Sequence, residues 1–153
     1  MIDKKEELRL DKITIEWKED DCPDVSYLET TIDQNGKIHS CRYTQEELED
    51  CPKLTRRYIK EDMERLSNFG KTWVMLSCVA KAEVSYPINE SGDRRIETFR
   101  SGGLYGVESD SDSEYLKEVE KEQIEDLKQH LEHFNVDLSS FEKKVEEAER
   151  IEE

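Results

Sequence analysis

Ile13, Ile15 and Trp17 alternate with Thr14 and Glu16, and a period of two predicts a strand with one buried face. Asp20-Asp21-Cys22-Pro23-Asp24 interrupts it. Two further runs, Tyr27 to Asp33 and Lys37 to Tyr43, flank Gln34-Asn35-Gly36, and Asn-Gly predicts a two-residue hairpin turn because both turn positions must accept positive φ. That turn sets Ile32 against His39, Thr30 against Cys41 and Leu28 against Tyr43, with Glu29 opposite Arg42 on the other face.

Thr44 and Glu47 have capping-box spacing, so a helix is expected to start there. Pro52 divides it into a short turn reaching residue 50 and a longer helix over 53–69, whose Leu54, Tyr58, Ile59, Met63, Leu66 and Phe69 form an apolar stripe closed by Gly70. From Trp73 to Tyr86 every even position is apolar or small, while the odd positions pass from Trp73 and Met75 to Lys81 and Glu83. This pattern predicts a long central strand, covered on both faces at one end and on one face at the other. Asn89 to Asp93 makes a turn, and Arg94 to Arg100 returns as an antiparallel partner.

After Ser101-Gly102-Gly103-Leu104-Tyr105-Gly106-Val107, the residues Leu116, Val119, Ile124, Leu127, Leu131 and Phe134 mark a helix over 114–134, with Ser111 and Glu114 as its capping box and Asn135 as its end. Ser139 and Glu142 open a last helix with Phe141, Val145, Ala148 and Ile151 on one side. These elements predict an α+β fold. An antiparallel sheet of four to five strands is covered by helices 53–69 and 114–134, and the chain ends in an acidic helix. Residues 1–138 form the domain, and 139–153 form a C-terminal helical extension.

Charge sharpens this picture. The 153 residues carry 23 basic and 39 acidic side chains, a formal net charge of -16. Residues 1–70 hold 12 basic and 18 acidic groups, 71–107 hold 5 and 4, and 108–153 hold 6 and 17. Such a surface repels phosphate and excludes unaided binding to nucleic acid, which needs clustered cations. No run approaches the ~18 to 20 apolar residues of a membrane helix. The opening segment lacks the apolar core of a signal peptide, so a soluble cytoplasmic protein is expected. Cys22, Cys41, Cys51 and Cys78 contain no C-x-x-C pair, which argues for reduced structural thiols and against a zinc site.

Candidate chemistry is sparse. Gly102-Gly103-x-x-Gly106 lacks the P-loop and dinucleotide-binding spacings. Glu108-x-Asp110-x-Asp112-x-Glu114 offers carboxylates at alternate positions, but counting from Asp110 the glycine and glutamate of a calcium loop fall on Tyr115 and Lys121. His130 and His133 lie three apart without a third strong ligand, His39 faces the hairpin, and no nucleophile elbow occurs. The expectation is therefore a non-enzymatic protein without cofactor or metal.

The acidic final third is the feature that asks for a role. Along 114–134, Glu114 is spaced to pair with Lys117, Glu118 with Lys121, Glu125 with Lys128, Lys121 with Glu125 and Lys128 with Glu132. Glu120, Glu122 and Asp126 have no assigned cation, and Glu118, Glu122 and Asp126 repel at successive i, i+4 steps. Solubility needs a net charge of only ~2 to 8 in a small domain. The excess predicts a negative face of Glu108, Asp110, Asp112, Glu114, Glu118, Glu122, Glu125, Asp126 and Glu132 that attracts a basic surface on another protein. The alternative is a small-ligand or divalent-cation domain using the Gly102 to Gly106 turn and the 108–114 loop.

The segment from Arg94 to Asp112, with Tyr27-Leu28-Glu29-Thr30, Asn68-Phe69-Gly70 and the helix after Asp112, resembles a group of small uncharacterised proteins of bacteriophages and bacterial mobile elements. The likeness covers most of residues 20–138. It implies a setting in which small acidic proteins antagonise host nucleases, as anti-CRISPR and anti-restriction factors do in the bacterial cytoplasm. The implied partner is the basic surface of a host nucleic-acid-binding protein or nuclease, met by a face that mimics nucleic acid.

Overall fold

The computed structural model describes residues 8–39 and 53–152. In chain order these form β1 (Arg9–Glu19), a 3-10 turn (Ser26–Leu28), β2 (Thr31–Ile32), β3 (Ile38–His39) and α1 (Lys53–Asn68). Then follow β4 (Met75–Pro87), β5 (Arg94–Arg100), β6 (Leu104–Glu108), α2 (Ser113–His133), α3 (Phe141–Glu146) and β7 (Glu149–Glu152). The fold is α+β: the described residues form three helices, a mixed five-stranded sheet and a separate two-stranded one. The chain divides into two compact units, one running up to Asp20 and resuming at Met75, the other spanning Asp21–Val74.

The first unit is built on β4. Its alternation appears as expected: Cys78, Ala80, Ala82 and Val84 are buried, while Lys81 and Glu83 face outward. β1 pairs antiparallel with one edge of β4, and β5 and then β6 occupy the other. β1 is longer than the expected 13–17, because a bulge between Leu10 and Lys12 lets Arg9 and Leu10 continue the ladder. Across one face lie α2 and α3. Their Leu127, Leu131 and Phe141 close on Leu10, Ile13, Ala80, Ala82 and Val84, and Val119 closes on Ile15, Trp17, Cys78 and Val107.

Two expectations are corrected here. The sheet is mixed, since β7 runs parallel to β1, placing Glu149 beside Thr14 and Glu152 beside Trp17. The last segment is accordingly not one helix: α3 stops at Glu146, and residues 149–152 are a strand. The physical reason is an unfilled edge of β1 together with the anchors Lys12 to Glu149 at 2.9 Å and Arg150 to Glu120 at 3.0 Å. Local helix spacing is a weak preference that tertiary pairing overrides.

In the second unit, β2 and β3 form the two-stranded sheet, and α1 packs on β2 and the 3-10 turn through Ile59 and Met63 against Ile32 and Ile38. Tyr58 is 55% exposed and leaves the expected stripe. The hairpin register is also corrected: Ile32 opposes Ile38 and Thr31 opposes His39. The Asp33 carboxylate accepts from the amides of Asn35 and Lys37, both at 2.9 Å. Gly36 alone takes positive φ, at 78°. The loop therefore holds three residues instead of two, and one added residue turns His39 outward and Ile38 inward. Cys41, Cys51, the Thr44 and Glu47 capping box, the short helix before Pro52 and the pairs reaching Cys41, Arg42 and Tyr43 lie outside the described residues.

Candidate interaction face

The inner side of α2 is held by polar anchors as well as by its apolar stripe. Asp112 caps the helix, its side chain accepting from the Tyr115 amide at 2.8 Å. The cap is therefore Asp112 and not the expected Ser111, whose hydroxyl donates to the Glu108 carbonyl at 2.7 Å. Glu120 is buried. It accepts from Trp17 Nε1 at 2.8 Å and from Arg150 through Nε and Nη2 at 3.0 to 3.1 Å. A buried carboxylate needs such partners. The Glu120 hydrogen bond raises the pKa of Arg150, and burial, with the Glu120 charge adding to it, pushes the Cys78 thiol up to about 12.

One turn on, Gln123 Oε1 accepts from the Ser101 hydroxyl at 2.7 Å and from the Gly103 amide at 2.9 Å, and Ser101 Oγ in turn accepts from the Ala80 amide at 2.9 Å. Asp126 accepts from the Gly102 amide at 2.6 Å, with its other oxygen 3.8 Å from His130 Nε2. The helix thereby clamps the glycine turn. Gly103 has φ +84° and its added Cβ would stand 3.2 Å from Val79, so glycine is required there. Gly106 donates to Asp20 at 3.2 Å. All three glycine amides are engaged within the chain, so the turn does not aim them at an anion. Among the described residues no group of three or more His, Cys, Asp or Glu side chains is placed to hold a metal ion.

The outer side is different. At 100° per residue, Glu114, Glu118, Glu122, Glu125 and Glu132 fall within one stripe opposite the Glu120 and Leu127 side, and all five are exposed. Lys117, Lys121 and Lys128 make a neighbouring stripe turned toward α3. They border a groove of 330 Å³ floored by Ile124, Phe141 and Val145. Lys128 sits 5.6 Å from the Phe141 ring centre and 3.9 Å from Glu142. Among the described residues none of the five expected ion pairs along this helix forms. Lys128 instead lies over the Phe141 ring, and Lys117 and Lys121 line the same groove.

Of the nine carboxylates expected on one face, the structure brings together Glu114, Glu118, Glu122, Glu125 and Glu132. Asp126 is turned to the glycine turn, Asp112 to its cap, and Glu108 sits at the end of β6 opposite Met75. Asp110 lies exposed in the connecting turn. Glu120, unassigned in sequence, is the cation-paired residue; its signal was a carboxylate centred between Leu116 and Ile124 on the apolar side. His130 and His133 are exposed near the helix end, and His130 Nδ1 donates to the Arg100 carbonyl at 3.0 Å. Phe134 is 54% exposed, though its ring lies 5.2 Å from Phe99. Cys78 is buried as a free thiol, and Cys22 is exposed. No described helix is long and apolar enough to cross a membrane. Compared with protein families, curated proteins and solved structures, the chain matches none of them.

Proposed function

We propose that this protein is a non-enzymatic binding factor that sets the outer stripe of α2 against a basic surface of a nucleic-acid-handling protein and blocks that surface, as an anti-CRISPR or anti-restriction factor of bacteriophage or mobile-element origin would. The observation that carries the reading is segregation: Glu114, Glu118, Glu122, Glu125 and Glu132 share one exposed stripe, and among the described residues none of them takes part in an ion pair. Like charges at i, i+4 destabilise a helix. A stripe that keeps them without pairing is therefore a cost that a complementary cationic partner relieves. The clamp beneath the stripe makes it a rigid platform, which lowers the ordering cost of binding.

The test is capture from a bacterial host lysate by the wild-type chain and by E118K/E122K/E125K, with duplex DNA as competitor. Nucleic-acid-handling proteins should be retained by the wild type, released by the duplex, and lost to the variant. Equal retention by both baits overturns the proposal.

A further inference from the structure

β5 pairs with β4 along one edge, and among the described residues no strand occupies its other edge. The ladder is bracketed by the Ser101 amide donating to the Ala80 carbonyl at 2.8 Å and the Ile88 amide donating to the Asp93 carbonyl at 3.0 Å. Hydrogen-bonded and non-bonded pairs alternate in an antiparallel ladder, so Arg95, Glu97 and Phe99 bond inward to β4. Arg94, Ile96 and Thr98 hold their amides and carbonyls outward; Arg100 has the same parity, but its carbonyl accepts from His130 Nδ1. Ile96, in the middle of this edge, is 61% exposed, and its neighbours Arg95 and Glu97 are exposed as well. An edge of this kind is a template for a further strand.

The order Arg95-Ile96-Glu97 is self-complementary. When two copies of β5 meet antiparallel with Ile96 opposite Ile96, Arg95 of each copy faces Glu97 of the other, and Arg94 faces Thr98. The outward backbone groups of Ile96 then pair across the two-fold axis, with positions 94 and 98 at the same parity in the ladder. The next register of that parity, Ile96 opposite Thr98, sets Glu97 against Glu97 at a non-bonded position, where side chains are closest and like charges repel. The geometry points to β5 as an isologous two-fold interface between two copies of this chain, centred on Ile96. Such pairing forms one continuous sheet in which both α2 helices lie on the same face, because a two-fold axis through an antiparallel pair stands perpendicular to the sheet. The inference rests on β5 alone and stands or falls independently of what the acidic stripe binds.

Each copy carries a formal charge of -16, which opposes association at long range, so the measurement belongs at physiological ionic strength, where the screening length is about 8 Å. Sedimentation velocity of the full chain over a wide concentration series should show an 18.1 kDa monomer passing to a particle of twice that mass. Arg95→Glu or Glu97→Arg alone places like charges across both contacts and should weaken the dimer about tenfold or more. The double variant R95E/E97R should restore it, which separates pairing from any loss of folding, and Ile96→Lys should weaken it as well. A chain that stays monomeric throughout overturns the inference, even if the edge accepts an added extended acidic peptide. So does a dimer whose dissociation constant is unmoved by R95E and I96K.

Discussion

The two sides of α2 carry the same residue type in opposite circumstances. Glu120 is buried with three donor groups around its carboxylate, from Trp17 and Arg150, whereas Glu118 and Glu122, two positions either way, stand in solvent without an ion pair among the described residues. What separates them is the helical turn: two residues rotate a side chain by about 200°. Charge counted along the sequence treats all of these carboxylates alike, but only the outer ones are available to a partner. Glu120 instead joins β1, α2 and β7 within the first unit.

The comparison breaks most sharply at Glu120. Glu120→Ala leaves Trp17 Nε1 without its acceptor and Arg150 without its carboxylate, and should cost about 2–3 kcal/mol. Chemical denaturation would register the loss, and amide exchange in residues 149–152 should rise with it, since Arg150 ties β7 to the helix. Glu120→Gln, which keeps an acceptor for Trp17, should cost less than half as much. If both variants match the wild type, the inner carboxylate is no different from the outer ones.

Gln123→Ala removes the acceptor shared by Ser101 and Gly103 and should cost roughly 1–2 kcal/mol in the same assay. The sheet supplies a milder probe. Lys81 donates a hydrogen bond to Glu16, which holds the Glu16 carboxyl below its ordinary value of 4.5. A lowered folded-state pKa means this contribution is fully present above pH 4.5 and is lost as the pH falls through the lower folded value. Glu16→Gln should therefore flatten the acid limb of the stability profile and leave the profile near pH 7 parallel to the wild type. The smallest effect belongs to the outer stripe: E118Q/E122Q/E125Q should shift stability by no more than about 0.5 kcal/mol, toward greater stability, as i, i+4 repulsion is removed. A loss of more than that would mean the stripe is structural.

Much of the architecture was legible before the structure. The even-position pattern from 74 to 86 became β4, the stripe from Leu116 to Leu131 became α2, and Asn135, with φ 57°, ends that helix as expected. These are local signals, since periodicity and chain-ending conformations are properties of neighbouring residues. The outer stripe was legible only in part: helical spacing groups Glu114, Glu118, Glu122, Glu125 and Glu132, but the expected face also took in Asp126, which accepts from the Gly102 amide, and Asp112, which caps the helix.

What only the tertiary structure decided lies wherever two distant segments meet. Asp33 folding back onto the Asn35 and Lys37 amides lengthened the hairpin loop and reversed which of Ile38 and His39 is buried. The open edge of β1 made a strand of residues 149–152, which local spacing reads as helix, and Arg150 arriving on that strand turned Glu120 from one acid among many into a buried anchor. The partition follows from reach. A residue's own neighbours set its preference for helix, strand or turn, but that preference is worth a fraction of a kcal/mol per position, less than one well-made contact from across the chain.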